Sequence, residues 1–284
     1  MEKVNSKGMI EYLILISCVF FLIFLIPTRY RQYAAIVGWT GMVLFLFAEI
    51  PYYLSINNFL YPLLAILSVP FLVITGRLLL KSEIRVMQLS TAAAVAFLIY
   101  APFEFIPALG DWLISVVVGE VFWVLNALHY DTVLVAWDMF QRYGYRIQII
   151  LACTGIQGIA IMLGVACAVP SDWRQKVLSF LLVVPTIYLL NIARNVAVII
   201  AYTEQWFPYL PEIAGNGETG YESFFWAHNV IAEGLALVLL IGIAYGLFRI
   251  NPGLAEFARD LTGRYYREIY RLAGKTPPST PPVE

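Results

Sequence analysis

Residues 177–202 read VLSFLLVVPTIYLLNIARNVAVIIAY, 26 consecutive positions with a single charged side chain, Arg194. As a helix rising 1.5 Å per residue this stretch is about 39 Å long, more than the roughly 30 Å of hydrocarbon in a bilayer. It reads as a transmembrane helix, and the rest of the chain agrees. Of 284 residues, 61% are apolar and 13% charged, against about half and a quarter in soluble domains. An ordinary soluble enzyme is excluded. The formal net charge of −1 leaves no cationic surplus for phosphates, so no nucleic-acid partner is expected. Cys18, Cys153 and Cys167 all fall in apolar runs without paired spacing. Neither a disulfide framework nor a Cys-rich zinc site follows, and no cofactor or metal is expected.

Outward from 177–202, apolar stretches of span length occur at residues 9–26, 33–54, 59–80, 86–103, 147–169 and 224–248. The expected fold is an all-α polytopic membrane protein of seven transmembrane helices. The first stretch is retained as a span because Ile26-Pro27-Thr28-Arg29 lacks a small-x-small cleavage site. An eighth apolar stretch runs from Trp112 to Leu128, broken only by Glu120. Loop charge argues against counting it. Seven spans with the N-terminus outside put 13 Lys and Arg on the cytoplasmic side and 4 outside, whereas eight spans give 10 and 7; the first matches the positive-inside rule better. Residues 106–128 are therefore expected as an external helix or re-entrant segment lying against the membrane. The acidic stretch 204–222 falls outside and the C-terminus is cytoplasmic.

Residues 251–275 carry Leu254, Phe257, Leu261, Tyr265, Ile269 and Leu272 at spacings of 3 or 4, with Arg259, Arg264, Arg267 and Arg271 between them. This is the pattern of a basic amphipathic helix on the inner leaflet. Residues 276–284 have the composition of a disordered tail. Residues 1–250 then form one transmembrane domain, in which 145–245 hold the chemistry.

A charge inside a span costs roughly 2.5–3.5 kcal/mol on insertion scales and marks function. The buried polar groups concentrate in the second half. Asn191, Arg194 and Asn195 share one helix face at i, i+3 and i+4. His228-Asn229 is followed one turn later by Glu233, a candidate partner for Arg194. If 147–169 is one helix, Cys153 and Gln157 share a face beside Gly155 and Gly158. Counting from the outer helix ends puts Cys153, Arg194 and His228 at depths of roughly 10, 12 and 7 Å, one layer in the outer leaflet.

Thiol, guanidinium and imidazole together suit nucleophilic acyl transfer. The thiolate is the attacking form, and a neighbouring cation favours it. Cys153 is the candidate nucleophile and Arg194 the candidate stabiliser of thiolate and oxyanion. His228 is the candidate general acid and base. Gln157, Asn191, Asn195, Asn229 and Glu233 are candidate supporting residues.

Three segments, Leu151-Ala-Cys-Thr-Gly-Ile-Gln157, Leu190-Asn-Ile-Ala-Arg-Asn-Val196 and Ala227-His-Asn-Val-Ile231, resemble those of the exosortase/archaeosortase family. The resemblance is strong over about 145–245 and architectural before that. It matches Cys153 to the family's nucleophile, Arg194 to its central arginine and His228 to its third, basic position. It implies a membrane transpeptidase that cuts the C-terminal sorting signal of secreted proteins on the outer side. That signal comprises a short motif, of Pro-Gly-Phe type among archaeosortases, a hydrophobic helix and a basic tail. The new C-terminus is then joined to a membrane lipid. Two other readings use the same residues. One is an intramembrane cysteine protease that transfers nothing; the other is a non-enzymatic anion transporter or receptor built on Arg194.

Overall fold

The computed structural model describes residues 2–55 and 58–276; the predicted disordered tail lies, apart from residue 276, outside the described residues. The first helices are α1 (Glu2–Leu25), α2 (Arg31–Ala48), α3 (Ile50–Ser55), α4 (Leu60–Leu80), α5 (Ile84–Phe105) and α6 (Pro107–Ala127). Three short strands follow, β1 (Val133–Ala136), β2 (Met139–Arg142) and β3 (Tyr145–Gln148), and then a 3₁₀ turn at Leu151–Thr154. The remaining helices are α7 (Ile156–Ala166), α8 (Trp173–Thr203), α9 (Pro211–Ala214), α10 (Tyr221–Phe224), α11 (Glu233–Ile250) and α12 (Pro252–Leu272), with a π-helical segment, Phe225–Ala232, between α10 and α11. Among the described residues six helical stretches are long and apolar enough to cross a membrane: Arg31–Ser55, Leu60–Leu80, Ile84–Phe105, Pro107–Ala127, Trp173–Thr203 and Tyr221–Ile250. Two apolar helices, Tyr12–Leu25 and Ile156–Ala166, are shorter.

The structure adds a sheet and changes one expected helix. The chain is mostly helical, in keeping with the expected all-α polytopic membrane protein, and β1, β2 and β3 add one small antiparallel sheet in that order. Residues 147–169 are not one helix: the stretch starts in β3, passes through the 3₁₀ turn and becomes helical only at Ile156. The reason is written in Tyr145-Arg-Ile-Gln-Ile149, where Ile147 and Ile149 are buried and Arg146 and Gln148 exposed, the period-2 pattern of a strand. Tyr143 and Gly144, at φ of 49° and 88°, make the two-residue turn from β2 to β3; such turns need positive φ at both positions. Residues 106–128 hold one continuous helix, α6, long and apolar enough to cross a membrane by length and composition.

The chain divides into two compact units: Met1–Leu98 with Gly164–Lys176 and Leu247–Glu284, and Ile99–Leu163 with Val177–Gly246. In the first, Phe21, Trp39, Ile74, Leu79 and Val86 form a core from α1, α2, α4 and α5. Ser17 Oγ donates to the Gly38 carbonyl and Trp39 Nε1 to Ser90 Oγ, so the polar groups inside this core are paired. The amphipathic helix α12 belongs to it and packs on protein. Leu254 and Phe257 are buried, the Tyr265 ring stacks on Phe71, and Arg85 is bound by Asp260 and Glu256. An anchor lying only on the leaflet would leave that face to lipid. In the second unit Val117, Val121 and Leu125 of α6 meet Phe140, Ile147 and Ile149 of the sheet and Ile192, Val196 and Ile199 of α8.

Candidate active site

All of the predicted site residues fall in the second unit. The sheet delivers Cys153. Ile149 N donates to the Asp138 carbonyl at 2.8 Å, which extends the pairing of β3 by one residue, and Gln148 Nε2 donates to Asp138 Oδ2 at 2.7 Å. The chain then closes a tight turn in which Cys153 N donates to Ile150 O and Thr154 Oγ1 to Leu151 O. Gly155, at φ +81°, reverses it into α7. A Cβ on Gly155 would sit 3.2 Å from both Cβ and Cγ of Asn191, so this position needs glycine for its backbone conformation and for the approach of α8.

One turn of α8 reaches both ways from that point. Asn191 Nδ2 and Asn195 Nδ2 both donate to the carbonyl oxygen of Cys153, at 2.6 and 2.8 Å. Both asparagines are buried, and two amides on one carbonyl hold the backbone of the half-buried free thiol. Between them Arg194 Nη2 lies 3.0 Å from His228 Nε2. A guanidinium has only donors, so Nε2 accepts. The ring proton is then on Nδ1, which donates to Asn229 Oδ1 at 2.8 Å. Phe224 stacks on the imidazole at 4.8 Å between centroids and fixes its plane. His228 itself stands in the π-helical segment, a geometry frequent at functional sites.

Thus α8 gathers Cys153, Arg194 and His228, with Asn191, Asn195 and Asn229 as their direct partners. Among the described residues no hydrogen bond ties the Cys153 thiol to Arg194 or His228, and Arg194 pairs with no carboxylate within 4 Å. Glu233, the candidate partner, opens α11 without such an ion pair. Gln157 departs from expectation. It does not share a helix face with Cys153, because Gly155 separates the 3₁₀ turn from α7. Its Nε2 instead donates to Tyr100 OH at 3.2 Å, and that hydroxyl donates to Glu104 at 2.6 Å. The depth expected for Cys153 fails with the helix it assumed, since a strand advances about 3.3 Å per residue. Sequence reading missed the sheet, the stacking Phe224 and the Tyr100–Glu104 pair. The alternation in 145–149 and the Tyr143-Gly144 turn were signals for the sheet; nothing local pointed to the other two.

Comparison with known proteins adds the family. The family model described as "Transmembrane exosortase" matches residues 5–215, a span that includes Cys153 and Arg194 but stops before His228. The chain is 28% identical over 248 residues to archaeosortase A of Haloferax volcanii, covering 79% of this chain and 82% of that protein. It is also 28% identical over 243 residues to archaeosortase A of Natronomonas pharaonis, covering 79% and 77%. No solved structure matches it.

Proposed function

We propose that this chain, which belongs to the transmembrane exosortase family, is a membrane-embedded cysteine transpeptidase that processes the C-terminal sorting signals of secreted proteins. The observation that carries the reading is the single turn of α8 that holds the Cys153 carbonyl through Asn191 and Asn195 and the His228 ring through Arg194. The similarity to two archaeosortases supports the substrate class. A signal with a hydrophobic helix and a basic tail would lie in the bilayer beside these helices, tail inward, with its motif in the outer leaflet. The 13:4 asymmetry of Lys and Arg supports that orientation, with the site facing outside.

In the proposed cycle Arg194 turns its guanidinium from Nε2 of His228 to the incoming carbonyl oxygen. The freed Nε2 lone pair takes the thiol proton, and the Cys153 sulfur attacks the scissile carbonyl carbon. The tetrahedral oxyanion is held by Arg194. On collapse the C–N bond breaks, His228 gives the proton to the leaving amine, and a thioester on Cys153 remains. A lipid hydroxyl or amine then attacks the thioester, its proton passing to His228, and the thiol is regenerated. The pure protease reading differs only in this last nucleophile, which would be water. Mass spectrometry of surface proteins from cells carrying wild-type enzyme or Cys153→Ala tests both readings. A lipid-modified, shortened C-terminus only with wild type is expected. A shortened C-terminus bearing a free carboxyl identifies a protease, and unchanged processing in the variant contradicts the proposal.

A further inference from the structure

Part of the charge of the first unit is paired internally. Around the turn from α4 to α5, Arg85 is bound by Asp260 and Glu256, Lys81 and Arg271 by Glu268, and Arg264 by Glu83. A pocket of about 340 Å³ on the other side of this turn is different. It is lined by Arg29, Arg31 and Gln32 from the α1–α2 junction and by Gln88 and Thr91 from α5, with no carboxylate in its wall. Among the described residues neither Arg29 nor Arg31 forms an ion pair within 4 Å. Gln88 accepts from Arg85 through Oε1 at 3.2 Å, so its amide N–H groups remain to donate. Two guanidinia and side-chain amides thus converge on one pocket whose lining holds no carboxylate.

Arg29 is exposed and Arg31 half-buried, so both guanidinia can be reached from outside, and an anion with several acceptor oxygens meets planar guanidinium forks best. The pocket lies where α2 and α5 begin, at span ends. Around it stand Ile26, Tyr30, Tyr33 and Ile84, all exposed, the apolar and tyrosyl surroundings of a membrane interface. We propose that this pocket binds the phosphate group of an anionic membrane lipid, with the acyl chains lying along the exposed apolar side chains at its mouth. The pocket belongs to the first unit, and the proposal stands whether or not the proposed chemistry does.

The test uses the full chain in detergent. Its melting temperature is followed on adding short-chain phosphatidylglycerol, short-chain phosphatidylcholine or inorganic phosphate, for wild type, Arg29→Gln/Arg31→Gln and Arg259→Gln, the last an exposed arginine outside the pocket. Wild type and Arg259→Gln are expected to be stabilised by the glycerol lipid and not by the choline lipid. In the double variant the apparent affinity falls about tenfold. Arg29→Lys/Arg31→Lys serves if the Gln pair fails to fold; it retains the charge and is expected to show an intermediate loss. Equal response of wild type and pocket variants, or equal response to the two lipids, overturns the proposal. A full shift with inorganic phosphate alone overturns the lipid assignment and makes the ligand a soluble phosphate.

Discussion

Gly155 shows how much of the site rests on single residues. Its positive φ strains any side chain and a Cβ there would press on Asn191, so Gly155→Ala is expected to cost about 1–3 kcal/mol in strain and to loosen the asparagine clamp on Cys153. Cleavage assays on variant and wild type at equal folded concentration check this; unchanged activity would show that the clamp is dispensable. Arg194 donates to His228 and, among the described residues, forms no ion pair, so its value lies in a planar fork that can serve two acceptors. Arg194→Lys is expected to lose most turnover while folding normally. A near wild-type rate would reduce Arg194 to a charge in the background. His228→Ala should keep a rate about 10²–10⁴-fold lower that climbs as pH rises and bulk hydroxide generates the thiolate. Full activity of that variant at neutral pH would remove His228 from the chemistry. The i, i+3, i+4 spacing in α8 made Asn191, Arg194 and Asn195 legible as one stripe, because helix periodicity is local. Their partners were not legible. That both amides meet one carbonyl, and that Arg194 meets an imidazole and not Glu233, depends on how separate segments pack.

At the scale of elements, the sheet and α12 are where sequence reading and structure part. The alternation in Tyr145–Ile149 was hidden by the apolar run it leads into, and a hydropathy window averages strand and helix together. The amphipathic pattern of α12 was plain, but an apolar face says only that something covers it, lipid or protein. The covering is α4 and the start of α5, and Glu268 is its most sensitive point. Burial pushes this carboxyl up, but hydrogen bonds from Arg271 and Lys81 outweigh that and hold it below the usual carboxylate range. A depressed pKa stabilises the docked helix fully above the ordinary carboxylate value of about 4.3. The contribution is lost as pH falls through the lower, folded value. Hydrogen exchange in α12 is therefore expected to be flat from pH 7 to 5 once corrected for intrinsic rates and to accelerate below about 4. Glu268→Gln should open the helix at neutral pH. The same protection in the variant as in wild type would contradict a docking role for this carboxylate.

For the whole molecule, composition alone made the chain a membrane protein, since hydrocarbon thickness imposes one length on every span. The number of crossings is a subtler quantity. Two apolar helices, Tyr12–Leu25 and Ile156–Ala166, are shorter than a span while α6 is long enough for one, so hydropathy does not count them. Charge asymmetry is the better guide, and tags placed after Lys275 and within residues 204–222 are expected to be cytoplasmic and external respectively. A tag on Lys275 reached from outside would invert the orientation proposed for the site. The central claim, however, is chemical. Purified full-length enzyme mixed with a substrate carrying a sorting signal, quenched in acid and weighed intact, tests it most directly. A covalent adduct is predicted, equal in mass to the substrate portion before the cut, localised to Cys153, released by hydroxylamine and absent from Cys153→Ala. Cleavage without that adduct, or cleavage by the Cys153→Ala enzyme, would contradict the account.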